Sequence, residues 1–195
     1  MRLTPKIQTA INYAADKHRD QLRKGEKLPN IVHPFSVAWI LADAGVDEDV
    51  VVAGLLHDIL EDVKGSSFEE LSQKFGERVA SIVRDVSEDK DPNIESDEKL
   101  TWMERKQKYL AHLSIASSDA VLVSVADKIQ NLQSMKSDYD LHGEALWDSF
   151  NSPPDKKLWF YEEVLRIASE KHPDHMLLAE LHGALEDMRR ASNIA

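Results

Sequence analysis

Apolar residues recur along the chain with the three- and four-residue spacing of α-helices. The segment that follows Pro5 carries Ile7, Ile11 and Ala14 on one face, and His18 lies on the same face. Because that face is apolar, His18 is expected to point into the protein. The pattern therefore predicts a helix near the start of the chain with a buried histidine close to its end.

Two more helices are predicted over the next forty or so positions. Pro34 suits the first turn of a helix that ends at Gly45, because a first turn leaves the backbone N–H unpaired and proline has none. Asp47 is a capping residue for the following helix, in which residues 50–56 are apolar on every side. Such a segment is expected to be buried all round.

The middle of the chain continues the helical pattern. Ser67 predicts the start of a helix that ends at Gly76, and apolar positions continue at helical spacing after it. Residues 87–98 are strongly acidic and contain a proline, which predicts a solvated loop. A further helix is predicted over about 99–112.

Residues 121–126 have the β-branched composition of a strand. We predict a helix there, because the apolar register continues to Leu132 and Asp119 is a suitable cap. Residues 137–155 are rich in glycine, proline and polar residues and are predicted to be mainly loop. Two last helices are predicted over about 156–171 and 173–192.

These elements predict an all-α protein. The chain has no internal repeat and no linker-like tract, so we expect one domain over residues 1–195. Its core is expected over about 4–136, and the helices within about 156–192 are expected to pack on that core.

Composition excludes several classes of protein. The absence of cysteine excludes disulfides, cysteine-ligated zinc and a thiol nucleophile. With 24 basic and 35 acidic residues the formal charge is -11, which argues against a duplex-DNA partner. No apolar run is long enough for a membrane span, and the first residues lack the apolar core of a signal peptide. We therefore expect a cytoplasmic protein without a nucleic-acid or membrane partner; nothing in the sequence indicates its oligomeric state.

Four residues of metal-ligand type emerge where apolar segments end: His33, His57, Asp58 and Asp127. Two imidazoles and two carboxylates would neutralise a divalent cation. A mixed nitrogen and oxygen set suits Mn²⁺, Fe²⁺ or Zn²⁺ better than Ca²⁺ or Mg²⁺. The pattern predicts a single metal site between the core helices.

Other polar residues follow these candidate ligands closely. Glu61 and Asp62 come three and four residues after Asp58, on the same face if the helix continues, and are candidates to take a proton from water. Lys128 and Asn131 follow the last candidate ligand and are candidates to orient a substrate. Arg23 and Lys24 belong to a basic island in an acidic chain, which favours a polyphosphate ligand.

The same residues carry a family resemblance. The His57-Asp58 pair, with a histidine upstream and an aspartate downstream, is similar to the HD superfamily of metal-dependent phosphohydrolases. Four blocks in order resemble the hydrolase domain of the RelA/SpoT alarmone enzymes: HRDQLRK at 18–24, PNIVHP at 29–34, LLHDILED at 55–62 and ADKIQNL at 126–132. No synthetase domain follows, so the chain most resembles the stand-alone small alarmone hydrolases, including the metazoan form.

The resemblance implies a helical HD-domain bundle, one bound Mn²⁺ or other divalent transition metal, and a small-molecule guanosine polyphosphate as substrate. The implied reaction is hydrolysis of guanosine 3′,5′-bis(diphosphate), (p)ppGpp, to GDP or GTP and pyrophosphate. The family's metal ligands fall on His33, His57, Asp58 and Asp127, and its water-activating pair falls on Glu61 and Asp62. Its substrate-binding positions fall on Arg23, Lys24, Lys128 and Asn131, while His18 matches a position of structural support.

Two departures from the family pattern keep alternatives open. Asn30 stands where the family usually has tyrosine, and Val63 where it usually has threonine after the acidic pair. Loss of the tyrosine ring leaves the metal chemistry in place but weakens the case for guanine. A different nucleotide, such as a nucleoside triphosphate or NADPH, is the first alternative, and a non-catalytic HD binding module is the second.

Overall fold

The computed structural model describes residues 2–23, 28–88 and 98–194. Over these residues the chain is built almost entirely of helices, with one isolated β-bridge between Leu22 and Pro29. The α-helices are α1 Pro5–Lys17, α2 Val32–Asp43, α3 Glu48–Leu56, α4 Ile59–Asp62, α5 Phe68–Phe75, α6 Glu77–Val86, α7 Glu98–Ile115, α8 Ser118–His142, α9 Pro154–Lys171 and α10 Met176–Ser192, with a 3-10 helix at Gly143–Ser149 between α8 and α9. The predicted all-α fold is confirmed.

Side-chain caps set several of the helix starts. Thr4 Oγ1 accepts a hydrogen bond from the Ile7 amide, Asp47 accepts from Asp49 and Val50, and Ser67 accepts from Glu70, so α1, α3 and α5 begin where the sequence predicts. The predicted cap of α8 is wrong. Ser117 caps that helix, whereas Asp119 lies inside its first turn and pairs with Arg78 on α6.

The core is organised around α3 and α8. Every residue from Val50 to Leu56 is buried, because α1, α2, α6 and α8 surround α3. Helix α8 continues the core on its other side, where α9 and α10 pack against it. His18, predicted to point inward, is 1% exposed.

The predicted loop over 137–155 is wrong for most of its length. Helix α8 extends to His142, and the 3-10 helix follows at once. The polar residues that favour a loop lie on the solvent side of α8, where Lys136 and Asp140 form an ion pair one turn apart. The helix ends at Gly143, which has a φ of +60°.

The acidic loop predicted at 87–98 falls mainly outside the described residues. Among the residues the structure covers, no helix is both long enough and apolar enough to span a membrane.

Candidate active site

Four predicted ligands converge at one end of the core. His33 lies in the first turn of α2, His57 caps the end of α3 with Asp58 beside it, and Asp127 lies in the middle of α8. The Nε2 atoms of His33 and His57 are 3.2 Å apart. His33 Nε2 is 3.1 Å from Asp127 Oδ1, and His57 Nε2 is 3.1 Å from Asp58 Oδ1.

The other ring nitrogen of each histidine is occupied. His57 Nδ1 donates to the Gly54 carbonyl at 2.8 Å, and His33 Nδ1 donates to the side-chain oxygen of Gln130. Each acceptor is an oxygen with no proton to give, so the proton of each neutral ring sits on Nδ1 and the lone pair on Nε2. Each Nε2 lies within 3.8 Å of an oxygen of Asp58 and of an oxygen of Asp127, and this mixed nitrogen and oxygen set suits a divalent cation.

Gln130 was not identified from the sequence. Its place in the same sequence block as Asp127 was a signal that could have pointed to it. Its contact with His33, however, joins residues 97 positions apart, which local sequence patterns do not indicate. By fixing the ring of His33, it sets the direction of the Nε2 atom of that predicted ligand.

The charges of the cluster are strongly coupled. Burial alone would raise the pKa of Asp127, but the adjacent Lys128 ammonium and His33 hold it well below its usual range. Burial would lower the pKa of His33, yet Asp127 and Asp58 raise it above its ordinary value. The Asp127 carboxylate is therefore ionised, and its Oδ1 lies 3.1 Å from His33 Nε2 and 3.8 Å from His57 Nε2.

The predicted acid–base pair lies on α4 beside this cluster. Glu61 and Asp62 line the same cleft as the four ligands. The helical turn is closed by a hydrogen bond from the Asp62 amide to the Asp58 carbonyl at 2.8 Å. Gln21, which sequence reasoning missed, donates to the Asp62 carbonyl at 2.9 Å and accepts at its side-chain oxygen from His18.

The predicted substrate-binding residues divide into three cases. Lys128 and Asn131 line the cleft, but both also bind Asp127: the ammonium contacts Oδ2, and the amide donates to Oδ1 at 2.5 Å. Arg23 also lines the cleft. Lys24 lies outside the described residues.

The cleft has a volume of about 720 Å³ and contains residues that the sequence analysis did not single out. Arg105 and Lys106 reach it from α7, and Lys157, Phe160 and Tyr161 reach it from α9. No local pattern distinguishes these residues from the other charges and aromatic rings of their helices. Only the packing of α7 against α9 brings them together beside the metal-ligand cluster.

The helical fold and this cluster define the class of protein. A model of the HD domain family matches residues 10–149, and the chain belongs to that family. Membership implies a divalent metal, for which His33, His57 and Asp58 offer ligand atoms within 4.8 Å of one another.

Two relatives within this family have names that state an activity. The guanosine-3′,5′-bis(diphosphate) 3′-pyrophosphohydrolase MESH1 of Xenopus tropicalis is 43% identical over 133 residues, which are 67% of this chain and 69% of that protein. The guanosine-3′,5′-bis(diphosphate) 3′-pyrophosphohydrolase of Aquifex aeolicus is 35% identical over 133 residues, 66% of this chain but 18% of that longer protein.

A solved structure extends the likeness to the whole chain. It is described as a metazoan orthologue of SpoT that hydrolyses ppGpp, and it is 26% identical to this chain. The two match over 100% of this chain and 99% of the other with a TM-score of 0.72. The likeness therefore includes α9 and α10.

Proposed function

We propose that this protein is a divalent-metal-dependent 3′-pyrophosphohydrolase of guanosine polyphosphates, with Mn²⁺ as the metal. The observation that carries the proposal is the meeting of four ligand atoms, two further carboxylates and several cationic side chains in a single cleft. The names of the relatives supply the substrate class.

The proposed metal ligands are His33, His57, Asp58 and Asp127. When bound, a divalent cation supplies positive charge that polarises a phosphoryl oxygen and lowers the pKa of water. The set fits the cation because both Nε2 lone pairs and the ionised Asp127 face the same space.

The proposed acid–base residues are Glu61 and Asp62. The oxygen of a water molecule would bond to the phosphorus attached to O3′, and the O3′–P bond would break. Pyrophosphate would carry the water oxygen, and the nucleotide would leave with a proton on O3′ that the acidic pair returns after taking it from the water. Glu61 accepts the proton of the attacking water, since a carboxylate beside the reacting phosphate is a suitable base.

Most of the proposed phosphate-binding residues are cationic, and they come from separate parts of the chain. Arg23 and Lys24 precede α2, Lys106 lies on α7 and Lys157 on α9, while Asn131 faces the cleft from α8. Lys128 balances Asp127 and adds positive charge near the reacting phosphate. Together these side chains would hold a highly charged anion in an otherwise acidic protein.

Asp58→Ala tests the proposal directly. We expect loss of bound metal and of pyrophosphate release from ppGpp, because one of the two carboxylates that offset the cation is removed. Metal analysis of the purified protein and a pyrophosphate assay with and without Mn²⁺ provide the measurements. Asp140→Ala, an exposed carboxylate at the far end of α8, is the matched control and should keep both properties. Undiminished turnover in Asp58→Ala would refute the proposal.

A second candidate function uses the same site but has a different nucleotide as its substrate. It is favoured by Asn30, which lines the cleft and places its amide 3.5 Å from both His18 Nδ1 and the side-chain oxygen of Gln21. A carboxamide at this position offers hydrogen bonds rather than an aromatic face. Turnover of ppGpp is compared with that of GTP, dGTP and NADPH, and a higher kcat/KM for any competitor would replace guanosine polyphosphate as the substrate.

A further inference from the structure

Glu88 is an acidic residue in the wall of a cleft that we assign to a polyanion. It follows Ser87, which caps the end of α6, and its side chain is 11% exposed. Its carboxylate forms an ion pair with Lys106 Nζ on α7. Its main-chain N–H donates to Glu61 Oε2 at 3.3 Å. One residue thus contacts both a cleft cation and the proposed catalytic carboxylate.

Lys106 is largely buried, which disfavours its charge, although three nearby aromatic rings attract a cation. Its ammonium is 4.5 Å from the ring centroid of Phe160, and the rings of Trp102 and Tyr109 are each 6.0 Å away. Burial lowers the pKa of Lys106 and the charge of Lys128 lowers it further, whereas Glu88 and Glu61 act in the opposite direction. The ion pair with Glu88 places that carboxylate in direct contact with the ammonium.

The position of Glu88 needs a physical reason, because its charge would repel a phosphate. A buried ammonium without a counter-ion is strongly unfavourable, and it avoids this state by losing its proton or by turning toward water. A carboxylate in contact prevents both outcomes. The carboxylate of Glu88 repels a phosphate, but this repulsion is offset because Lys106 stays ionised and directed into the cleft.

We propose that Glu88 is a positioning residue: its carboxylate keeps Lys106 ionised and directed into the cleft, and its main-chain amide holds the carboxylate of Glu61. The proposal rests on the proposed function, since Lys106 matters only if the cleft binds phosphate. Lys106 contacts the substrate, whereas Glu88 acts through its two neighbours.

Glu88→Gln removes the negative charge of the side chain and leaves its size and shape nearly unchanged. The variant retains the main-chain N–H to Glu61 and an oxygen that can accept from Lys106, but removes the negative charge. The Cε resonance of Lys106, assigned by its absence in Lys106→Gln, is followed by NMR as the pH is raised in both proteins. We expect Lys106 to lose its proton at a lower pH in Glu88→Gln, and an unchanged titration would overturn the proposal.

Kinetics supply the second measurement. For ppGpp hydrolysis at alkaline pH we expect the KM of Glu88→Gln to rise about tenfold, the loss of roughly one charge-assisted contact, with kcat little changed. The rise should shrink at lower pH, where Lys106 is protonated in both proteins. A merely structural defect would not depend on pH in this way.

A double-mutant cycle with Lys106→Gln tests whether the two residues act together. If Glu88 acts through Lys106, Glu88→Gln adds nothing to the KM of Lys106→Gln, and full additivity would contradict the proposal. Glu88→Asp keeps the charge and should show a Lys106 titration and a KM close to those of the wild type. This variant also provides the comparison if Glu88→Gln fails to fold. If the wild-type protein does not hydrolyse ppGpp, the proposed function fails, while the NMR titration still decides whether Glu88 holds Lys106 ionised.

Discussion

Each histidine of the cluster has one ring nitrogen fixed by a hydrogen bond, and this determines what the other nitrogen can do. Gly54 and Gln130 accept the Nδ1 protons of His57 and His33, so both Nε2 atoms are left as donors of electron pairs. Because the acceptors belong to buried helices, the ring orientations are set before any ligand binds. At this scale the site is preorganised for a cation.

The proposed ligands bind the metal and the proposed base accepts a proton, so a substitution of the base should change the rate and leave the metal content unchanged. Glu61→Gln should keep the metal, because Glu61 is assigned to the attacking water and is not one of the four proposed ligands. Its kcat should fall by about 10²- to 10⁴-fold, since an amide cannot accept the proton of water. Metal content and kcat are measured on the same preparation.

The matched control is Glu69→Gln on the first turn of α5, which makes the same change of charge away from the cleft. If Glu61→Gln lost its metal as well as its rate, the carboxylate would be a ligand and the assignment of roles would have to change.

At the scale of helices, the approach of α2 to α3 sets the distance between the two histidines. Gly54 makes this approach possible: a Cβ built there would lie 2.5 Å from Leu41 Cδ1 and 3.5 Å from the Ala38 Cα. Leu41 is fully buried and has little room to move. The carbonyl of the same glycine also accepts from His57. Helix packing and ligand orientation therefore depend on one position.

Gly54→Ala is predicted to lower the free energy of unfolding by about 1–3 kcal/mol, because an added methyl group overpacks the α2–α3 contact. Metal affinity should fall with it, since α3 carries His57. Urea denaturation gives the first quantity and metal titration the second.

Gly183 in α10 provides the control for this change. A Cβ there meets nothing within 4 Å, so Gly183→Ala should stabilise the protein by about 0.5–1 kcal/mol through helix propensity alone. Equal effects of the two substitutions would show that close packing at Gly54 is not what the structure indicates.

At the scale of the whole molecule, α8 joins the two halves of the chain. It contacts α2, α3 and α6 on one side and α9 and α10 on the other. Asp127 and Lys128 lie on this helix, and the rings of Tyr109 and Phe160 are 5.1 and 5.3 Å from Lys128 Nζ. Helices α9 and α10 thus cover the core, and α9 also forms part of the wall of the cleft.

This arrangement predicts one cooperative folding unit. The single domain expected from the sequence stays a prediction, which the following experiment tests. A chain ending at Ser152 lacks α9 and α10 and exposes the buried face of α8. We expect it to show no cooperative urea transition, whereas the full chain should show one transition that is the same by circular dichroism and by tryptophan fluorescence. A sigmoidal transition in the shortened chain would establish that residues 1–152 fold alone.

Much of the helical pattern and the predicted ligands could be obtained from the sequence, because both depend on short-range rules. Caps such as Thr4 and Asp47 act within three residues, and an apolar face is visible from its spacing. The extent of α8 was missed because its exposed face has the composition of a loop.

The sequence by itself determined an all-α chain that carries two histidines and two aspartates at the ends or edges of apolar segments. Only the tertiary structure decided which other side chains meet them. The contacts of Gln130 with His33, of Glu88 with Glu61 and of Lys106 with Glu88 span 97, 27 and 18 residues. Local periodicity gives the face on which a residue lies, but the packing of the helices sets its neighbours, and those neighbours determine charge and orientation in the cleft.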